Sequence, residues 1–227
     1  MFQNMQVANQ PVFYLFIAFT LLLSLGYSWG KRKNKKIYLS VFNSIVNIVN
    51  PKDQNFTNIG GLTGYHANIV PSNNKIIKQI DLTLTLLPRQ SWLYLPFSFI
   101  ISHSDKLFAN IYINKNRKYN FKEAHIVEKK FSKTALGTIS NKENFKVEEL
   151  LLNGKPYIIY TQDEHTRKYL DIFIQNLSEP SVLKHLAIIP NENKVYFFII
   201  PETKYIKDIF NNIYKWVLSV CEKNTTI

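Results

Sequence analysis

Cysteine is nearly absent from this sequence, because its 227 residues contain only one, Cys221. A single thiol excludes an intrachain disulfide framework and a zinc knuckle, and it is typical of a reducing compartment. Acidic residues are also scarce: 16 Asp and Glu stand against 28 Lys and Arg, which gives a net charge of +12. That charge fits either a solvated lysine-rich surface or attraction to anionic lipid or ribosomal RNA.

Charged side chains are missing from the first 29 residues. The apolar stretch 11–29 would extend about 28 Å as a helix, close to the ~30 Å of a hydrocarbon core. Two other interpretations are a cleaved signal peptide and a buried core helix. A signal peptide would need positive charge before the apolar stretch and a small-residue cleavage site after it, and the sequence shows neither. We therefore predict a transmembrane helix at 11–29, preceded by a short lumenal N-terminus at 1–10.

Five basic residues follow the apolar stretch within six positions. Because basic residues beside a span stay on the cytoplasmic side, they predict that the rest of the chain is cytosolic. They are also candidates for contact with an anionic membrane surface. These membrane-flanking residues are Lys31, Arg32, Lys33, Lys35 and Lys36.

The remaining residues fit one cytosolic domain at 30–222, with a frayed C-terminus at 223–227. A helical repeat of apolar residues from Ile37 to Ile48 predicts that the anchor continues into, or abuts, an amphipathic helix ending near Pro51. Alternation from Ile80 to Leu86, and again from Leu107 to Ile113, predicts two strands. Helices and strands are mixed, so the expected fold class is an α+β domain on a single membrane anchor.

The C-terminal half of the chain gives further predictions about its elements. We expect a helix around 123–131, and a hairpin turn at Asn153-Gly154 whose second strand lies at a sheet edge because of Pro156. The spacing of Thr161 and Glu164 predicts a capping box that opens a helix over about 163–177. Two apolar strands and a last amphipathic helix then cover about 181–220.

The segment from Trp92 to Ile101 is short, very apolar and interrupted by Pro96. It is too short to cross a bilayer. One interpretation is core packing beneath the sheet, and the other is contact with the membrane or with helices of a partner. The candidate contact residues are Trp92, Tyr94, Phe97 and Phe99.

Residues that could carry chemistry are few. The run "SHSD" at 102–105 contains hydrolase-triad residue types, but neighbouring side chains cannot converge on each other. The run "QDEH" at 162–165 fits a helix start better than a metal site, and "NIGGLTGYH" lacks the Gly-Lys-Ser/Thr of a P-loop. His66, His125 and His185 are isolated in the sequence. We therefore expect no catalytic, metal or cofactor site, and a membrane-bound enzyme is the least favoured class.

The order of these pieces resembles the coiled-coil domain-containing protein 47 family, also called calumin. A single span is followed by "GKRKNKKIYLSVF", then by a strand and helix joined at Arg89-Gln90, then by "SHSD" and "KLFANIYIN". The likeness continues in "KYLDIFIQNLSEPSVLKHLAIIP", "KVYFFIIP" and "IKDIFNNIYKWVLSV", so it covers most of residues 15–221. It implies an endoplasmic reticulum protein with a cytosolic α/β domain. It also implies partners: an Asterix-like small membrane protein in an intramembrane chaperone, the Sec61 translocon and the ribosome.

Two departures limit what the resemblance implies. The family's acidic lumenal segment, which is tied to calcium binding, is not found before the span here, and the basic C-terminal coiled coil that reaches the ribosome is not found after residue 223. Contact with rRNA phosphates would then fall to the domain. A different class remains open, a membrane-tethered module for anionic lipid that uses 31–36 and the region 115–133. The candidate rRNA or lipid contacts are Lys115, Arg117, Lys118 and Lys122.

Overall fold

The computed structural model describes residues 11–114, 121–137, 139 and 142–222. Its α-helices are α1 (Pro11–Val49), α2 (Leu95–Ser102), α3 (Ser132–Leu136), α4 (Glu164–Gln175) and α5 (Ile206–Glu222). Its strands are β1 (Pro51–Asn58), β2 (Gly64–Pro71), β3 (Ile77–Thr85), β4 (Lys106–Ile113), β5 (Ala124–Glu128), β6 (Lys146–Leu152), β7 (Lys155–Thr161), β8 (Leu183–Ile189) and β9 (Lys194–Ile199).

The strands that the structure describes form one nine-stranded antiparallel sheet in the order β1-β2-β3-β4-β9-β8-β5-β7-β6. Side chains of directly paired residues point to the same face of a sheet. The pairing therefore sets side chains in rows that cross its centre. One such row runs from His66 through Thr83, Phe108 and Phe198 to His185.

One face of the sheet, which we call the helical face, is covered by the second half of α1 together with α4 and α5. Val41 and Ile45 of α1 have no exposed surface, and neither do Phe210 and Ile213 of α5. They pack against inward side chains of the central strands in one large apolar cluster. Because α1 runs on without a break, the helix that carries the apolar stretch 11–29 is also part of the domain core.

The opposite face, which we call the outer face, is covered only in part. A second cluster, with Val127, Ile158 and Tyr160 from the sheet, packs beneath α3 and the segment around Phe145. Beside this cluster, polar residues of β2, β3 and β4 are half-buried rather than covered. The row from His66 to His185 lies on this outer face.

Three predictions about local structure are wrong. Residues 124–128 form β5 rather than a helix, because this strand pairs with β7 on one side and β8 on the other. Strand β7 is not at an edge, and it accommodates Pro156 because its pairing with β5 begins only at Tyr157. The capping box predicted from Thr161 and Glu164 does not open α4. The N-cap is Asp163, whose carboxylate accepts a hydrogen bond of 2.7 Å from the N–H of Thr166.

Other predictions are confirmed. Strands β3 and β4 carry the alternating apolar residues, and α1 continues through the amphipathic repeat to Val49. Asn153 and Gly154 form the β6–β7 turn, and both have positive φ values, 47° and 74°. The structure is consistent with an α+β domain behind a long apolar helix.

Candidate membrane-contact surface

The first half of α1 exposes apolar side chains around its circumference. Val12, Leu15 and Leu25 are 71%, 68% and 71% exposed. Among the described helices, α1 is the one long and apolar enough to cross a membrane, and almost none of its most apolar window is buried. A core helix of a soluble domain would be mostly buried, so the exposed apolar surface of α1 suggests a single-pass membrane protein.

Two glycines of α1 allow the segment before α2 to lie directly against the helix. A Cβ atom on Gly30 would be 2.0 Å from the carbonyl oxygen of Arg89, and one on Gly26 would be 2.9 Å from the ring of Trp92. Small residues four positions apart let backbones approach closely, as in packed membrane helices. Trp92 is therefore fixed beside the last turn of the apolar stretch.

A buried polar cluster formed by Asn34, Arg89 and Asp105 joins α1 to the sheet. We call it the polar connector. The Arg89 guanidinium donates two hydrogen bonds of 2.8 Å to the Asp105 carboxylate and one of 2.9 Å to Oδ1 of Asn34. The Asn34 amide donates to the carbonyl oxygens of Leu62 and Leu87, at 3.0 and 2.9 Å.

The polar connector is satisfied on every side. Asp105 Oδ1 also accepts a 2.8 Å hydrogen bond from the N–H of Leu87. Both charged side chains are only 10% exposed, and Asn34 is fully buried. A buried charge is tolerated when it is paired and its remaining hydrogen bonds are made, so the cluster holds α1 in a defined orientation on the domain.

Helix α2 is apolar but is not part of the core. Phe97, Ile100 and Ile101 are 61%, 72% and 71% exposed, and Ser98 is the buried residue of this helix. No Asp, Glu, Lys or Arg occurs between Arg89 and Asp105. Trp92 lies against Gly26, near the end of the apolar stretch of α1. Because α2 begins three residues after Trp92, it starts at about the same level. These facts favour contact with a membrane or partner over packing beneath the sheet.

The aromatic candidates of this segment lie on its exposed surface. Trp92 contacts Gly26, but 40% of it remains accessible. Tyr94 is 51% exposed and Phe99 is 49% exposed. Phe97 is the fourth predicted contact residue, so all four are accessible on the surface.

An apolar groove of about 580 Å³ lies between α1 and Trp92. It follows α1 from Ala18 to Trp29, which is roughly 16 Å of helix. Leu22 and Leu25 are among the residues of α1 that line it, and Gly26 lies next to Trp92. The groove lies along the membrane segment rather than on the domain.

The five membrane-flanking basic residues are exposed and surround the end of the apolar stretch, while Asn34 points inward between them. Lys33 places its Nζ 5.0 Å from the centroid of the Trp29 ring, a cation–π contact at the end of the groove. The basic residues so placed are Lys31, Arg32, Lys33, Lys35 and Lys36.

The second basic group falls largely outside the described residues. Lys115, Arg117 and Lys118 lie in the gap at 115–120. Lys122 is exposed, and its backbone N–H donates a 3.2 Å hydrogen bond to Oγ1 of Thr166 at the start of α4.

The runs considered for chemistry have ordinary structural roles. His103 has a φ of 61° and contacts the carbonyl oxygen of Phe99, while Asp105 belongs to the polar connector. Glu164 pairs with Lys146 at the surface, and Gly61 lies in the β1–β2 turn. No group of three His, Cys, Asp or Glu residues in the described ranges could hold a metal ion.

Sequence reasoning missed two groupings. The sequence contains a partial indication of the polar connector, because Gly26, Gly30 and Asn34 recur every four residues along α1. The description of His125 and His185 as isolated is wrong in space: Nδ1 of His125 lies 3.1 Å from Nε2 of His185. They are paired through β5 and β8, which are distant in sequence, so no local pattern could reveal them.

No protein-family model matches the chain, and a search of curated proteins finds no significant match. The resemblance to the coiled-coil domain-containing protein 47 family therefore stays a prediction.

Proposed function

We propose that this chain is a non-enzymatic, single-pass protein of the endoplasmic reticulum membrane that acts as a subunit of an intramembrane chaperone in the multipass translocon. Its domain faces the cytosol and docks near the ribosome and the Sec61 channel. Its membrane segment binds transmembrane helices of multipass proteins during insertion. The partner in the membrane is an Asterix-like small protein.

The observation that carries this proposal is the groove between α1 and Trp92. It is apolar, it lies along the apolar half of α1, and Trp92 bounds it from the segment before α2. A transmembrane helix carrying polar residues is costly in lipid, and a protein groove at that depth can shield it. The small side chain of Ala18 leaves room for a second helix to approach.

The polar connector supports the same proposal. It fixes α1 to the segment before α2, so the groove is held by the folded domain rather than by two free helices. A groove whose walls are fixed before binding costs less ordering entropy when a client helix enters. The basic residues after the span agree with a cytosolic domain near rRNA phosphates.

Site-specific photocrosslinking tests this function. A benzoylphenylalanine placed at Leu22, inside the groove, is compared with one at Phe16, which is 67% exposed on α1 but does not line the groove. The clients are ribosome-bound intermediates of a multipass protein, made in microsomes, with or without a charged residue in one transmembrane segment.

We expect the Leu22 probe to crosslink to the client segment, more strongly when that segment carries the charge, and the Phe16 probe to crosslink mainly to lipid. Equal crosslinking from both positions, or crosslinks to lipid alone at every stage of synthesis, would contradict the chaperone function.

A second function is favoured by one observation, the exposure of all five membrane-flanking basic residues. Each basic residue near an anionic surface contributes about 1 kcal/mol of attraction, so the group could serve a tether for anionic lipid. Replacing the five residues by Gln should then abolish the binding of the protein to anionic vesicles but leave the crosslinks from Leu22 to clients unchanged. Loss of those crosslinks in the same variant would favour the translocon function.

A further inference from the structure

A cavity of about 660 Å³ lies on the outer face of the sheet, away from the membrane groove. Its floor is formed by β4, β9, β8 and β5, and α3 with the turn before it forms one wall. This volume is within the ~300–1,000 Å³ of pockets that hold one small ligand. Phe108 and Phe198, with ring centroids 4.7 Å apart, lie at one end, and Phe131 packs edge-on against Phe198.

A chain of hydrogen bonds forms the polar part of this cavity. Nε2 of His125 lies 3.0 Å from Oε1 of Glu123, and Nδ1 of His125 lies 3.1 Å from Nε2 of His185. His125 is 2% exposed and His185 is 8% exposed. We call these three residues the histidine relay.

The Glu123 carboxylate can only accept a hydrogen bond, and this determines which nitrogen of each histidine ring donates. His125 then donates through Nε2, and its Nδ1 accepts from Nε2–H of His185. Burial lowers the pKa of His125, against the opposite effect of Glu123, and both rings are neutral at pH 7. Burial, with a smaller effect of His125, lowers the pKa of His185 to about 3.

This arrangement leaves the Nδ1 lone pair of His185 as the end of the chain. None of the residues that the structure describes hydrogen-bonds to this atom, yet no buried side-chain nitrogen or oxygen among them lacks a partner. The Nδ1 atom is therefore accessible, and His185 lines the cavity. It presents a fixed hydrogen-bond acceptor to a ligand.

The charges around the cavity balance. Lys194 pairs with Glu192 at 2.6 Å, and Glu123 and Lys106 supply one further charge of each sign. A cavity without excess charge favours a neutral ligand over an anion such as a phosphate or a fatty acid. The remaining surface is aromatic or aliphatic, which suits an apolar body.

The phenylalanine end of the cavity is the end nearest to the polar connector. Lys106 and Phe108 begin β4 directly after Asp105, which binds Arg89 against Gly30 of α1. Gly30 follows the apolar stretch by one residue. This end of the cavity is therefore the one nearest to the apolar stretch of α1.

We propose that this cavity binds a neutral lipid alcohol, with its apolar body along Phe108, Phe198 and Tyr196 and its hydroxyl group donating a hydrogen bond to Nδ1 of His185. The shared chemistry is an apolar body with one hydroxyl end. It includes single-chain alcohols such as monoacylglycerols and polycyclic alcohols such as sterols. This site does not depend on the chaperone function, and either can fail without the other.

Photoaffinity labelling of the full chain tests the site. The purified protein is reconstituted in neutral phosphatidylcholine vesicles with one of three diazirine probes: a monoacylglycerol, a sterol, or a fatty acid with the acyl chain of the first. Labelled peptides are mapped by mass spectrometry, and each probe is competed with its unlabelled parent. The monoacylglycerol and sterol arms decide which kind of alcohol fits.

We expect saturable labelling of β4, β8 or β9 by at least one alcohol probe and not by the fatty acid. His185→Phe should weaken competition about tenfold, which corresponds to the loss of about 1.4 kcal/mol. The matched control is His66→Phe, because His66 lies in the same row of the outer face but outside the cavity and hydrogen-bonds to Thr83. That variant should label as the parent protein does.

A second variant covers the case in which His185→Phe does not fold. Ile189 lines the cavity and is half-buried, so Ile189→Trp should fill the space and remove labelling in a protein that still melts cooperatively. The proposal is overturned if no alcohol probe labels these strands saturably, if the fatty acid labels them equally, or if labelling survives in folded Ile189→Trp protein.

Discussion

Gly30 of α1 lies in contact with the backbone of Arg89, so close that a Cβ atom would be 2.0 Å from its carbonyl oxygen. Real Cβ atoms do not approach a backbone oxygen at that distance, and both partners are backbone elements that cannot rotate away. The contact fixes where the segment leading to α2 meets the membrane helix.

The first prediction is that Gly30→Ala destabilises the protein by about 2 kcal/mol or more, because the segment at 89–92 must move. Alanine favours a helix by about 1 kcal/mol over glycine, so the expected sign is opposite to helix propensity. The measurement is thermal unfolding in detergent, followed by tryptophan fluorescence. Gly137→Ala is the control, since its Cβ would be 3.3 Å from the nearest atom, and it should change little.

The polar connector gives the second prediction. Asp105→Asn leaves the Arg89 guanidinium buried without its charge partner, and removing one partner of a buried pair costs about 3–5 kcal/mol. Urea unfolding of the domain measures this loss. Glu164→Gln removes an exposed partner of Lys146 and should leave the midpoint unchanged. Equal effects of the two substitutions would mean that the connector is not a buried ion pair.

These two contacts show where sequence reasoning ends. Alternation in β3 and β4 and the helical repeat in α1 are local, so the fold class and most elements could be predicted from residues alone. The polar connector brings together positions 34, 89 and 105, and that depends on how the sheet docks on α1. Asn34 lies among lysines in the sequence and is typical there of a solvated position, whereas it is fully buried.

The third prediction concerns the surface of α2. Phe97→Asp should give a folded domain, because Phe97 is 61% exposed, but it should weaken membrane or partner contact. The matched control is Phe197→Asp, which places the same change at a fully buried position of β9 and should unfold the domain. Cooperative melting and crosslinking from Leu22 are measured together. A Phe97→Asp protein that does not fold would place α2 in the core.

The fourth prediction is a loss of stability in acid. His125 and His185 have lowered pKa values in the folded protein, that of His185 being about 3, while the unfolded chain binds protons near pH 6.5. Stability from these neutral rings is complete above pH 6.5 and falls at lower pH. For His185 the fall continues toward pH 3, by up to ~1.4 kcal/mol per pH unit, and His125 contributes in the same direction. Glu123 and Tyr196 are the other titratable groups that contact the pair.

Urea midpoints between pH 7 and pH 4 measure this slope. His185→Phe should flatten it, since one of the two buried rings no longer takes up a proton on unfolding. His66→Phe, which changes a half-buried histidine of the same row, should leave the slope as it is. An unaltered slope in His185→Phe would assign the acid sensitivity to other groups.

The fifth prediction concerns orientation in the membrane. Asn55 and Asn176 lie in N-glycosylation sequons and are both exposed, so either would accept a glycan if the domain entered the lumen. With the basic residues at 31–36 in place, we expect neither to be modified during translation in microsomes. Replacing those five residues by Glu should invert part of the population, and that part should gain glycans. A glycan on Asn176 of the unaltered protein would reverse the topology and remove the ribosome from the proposed function.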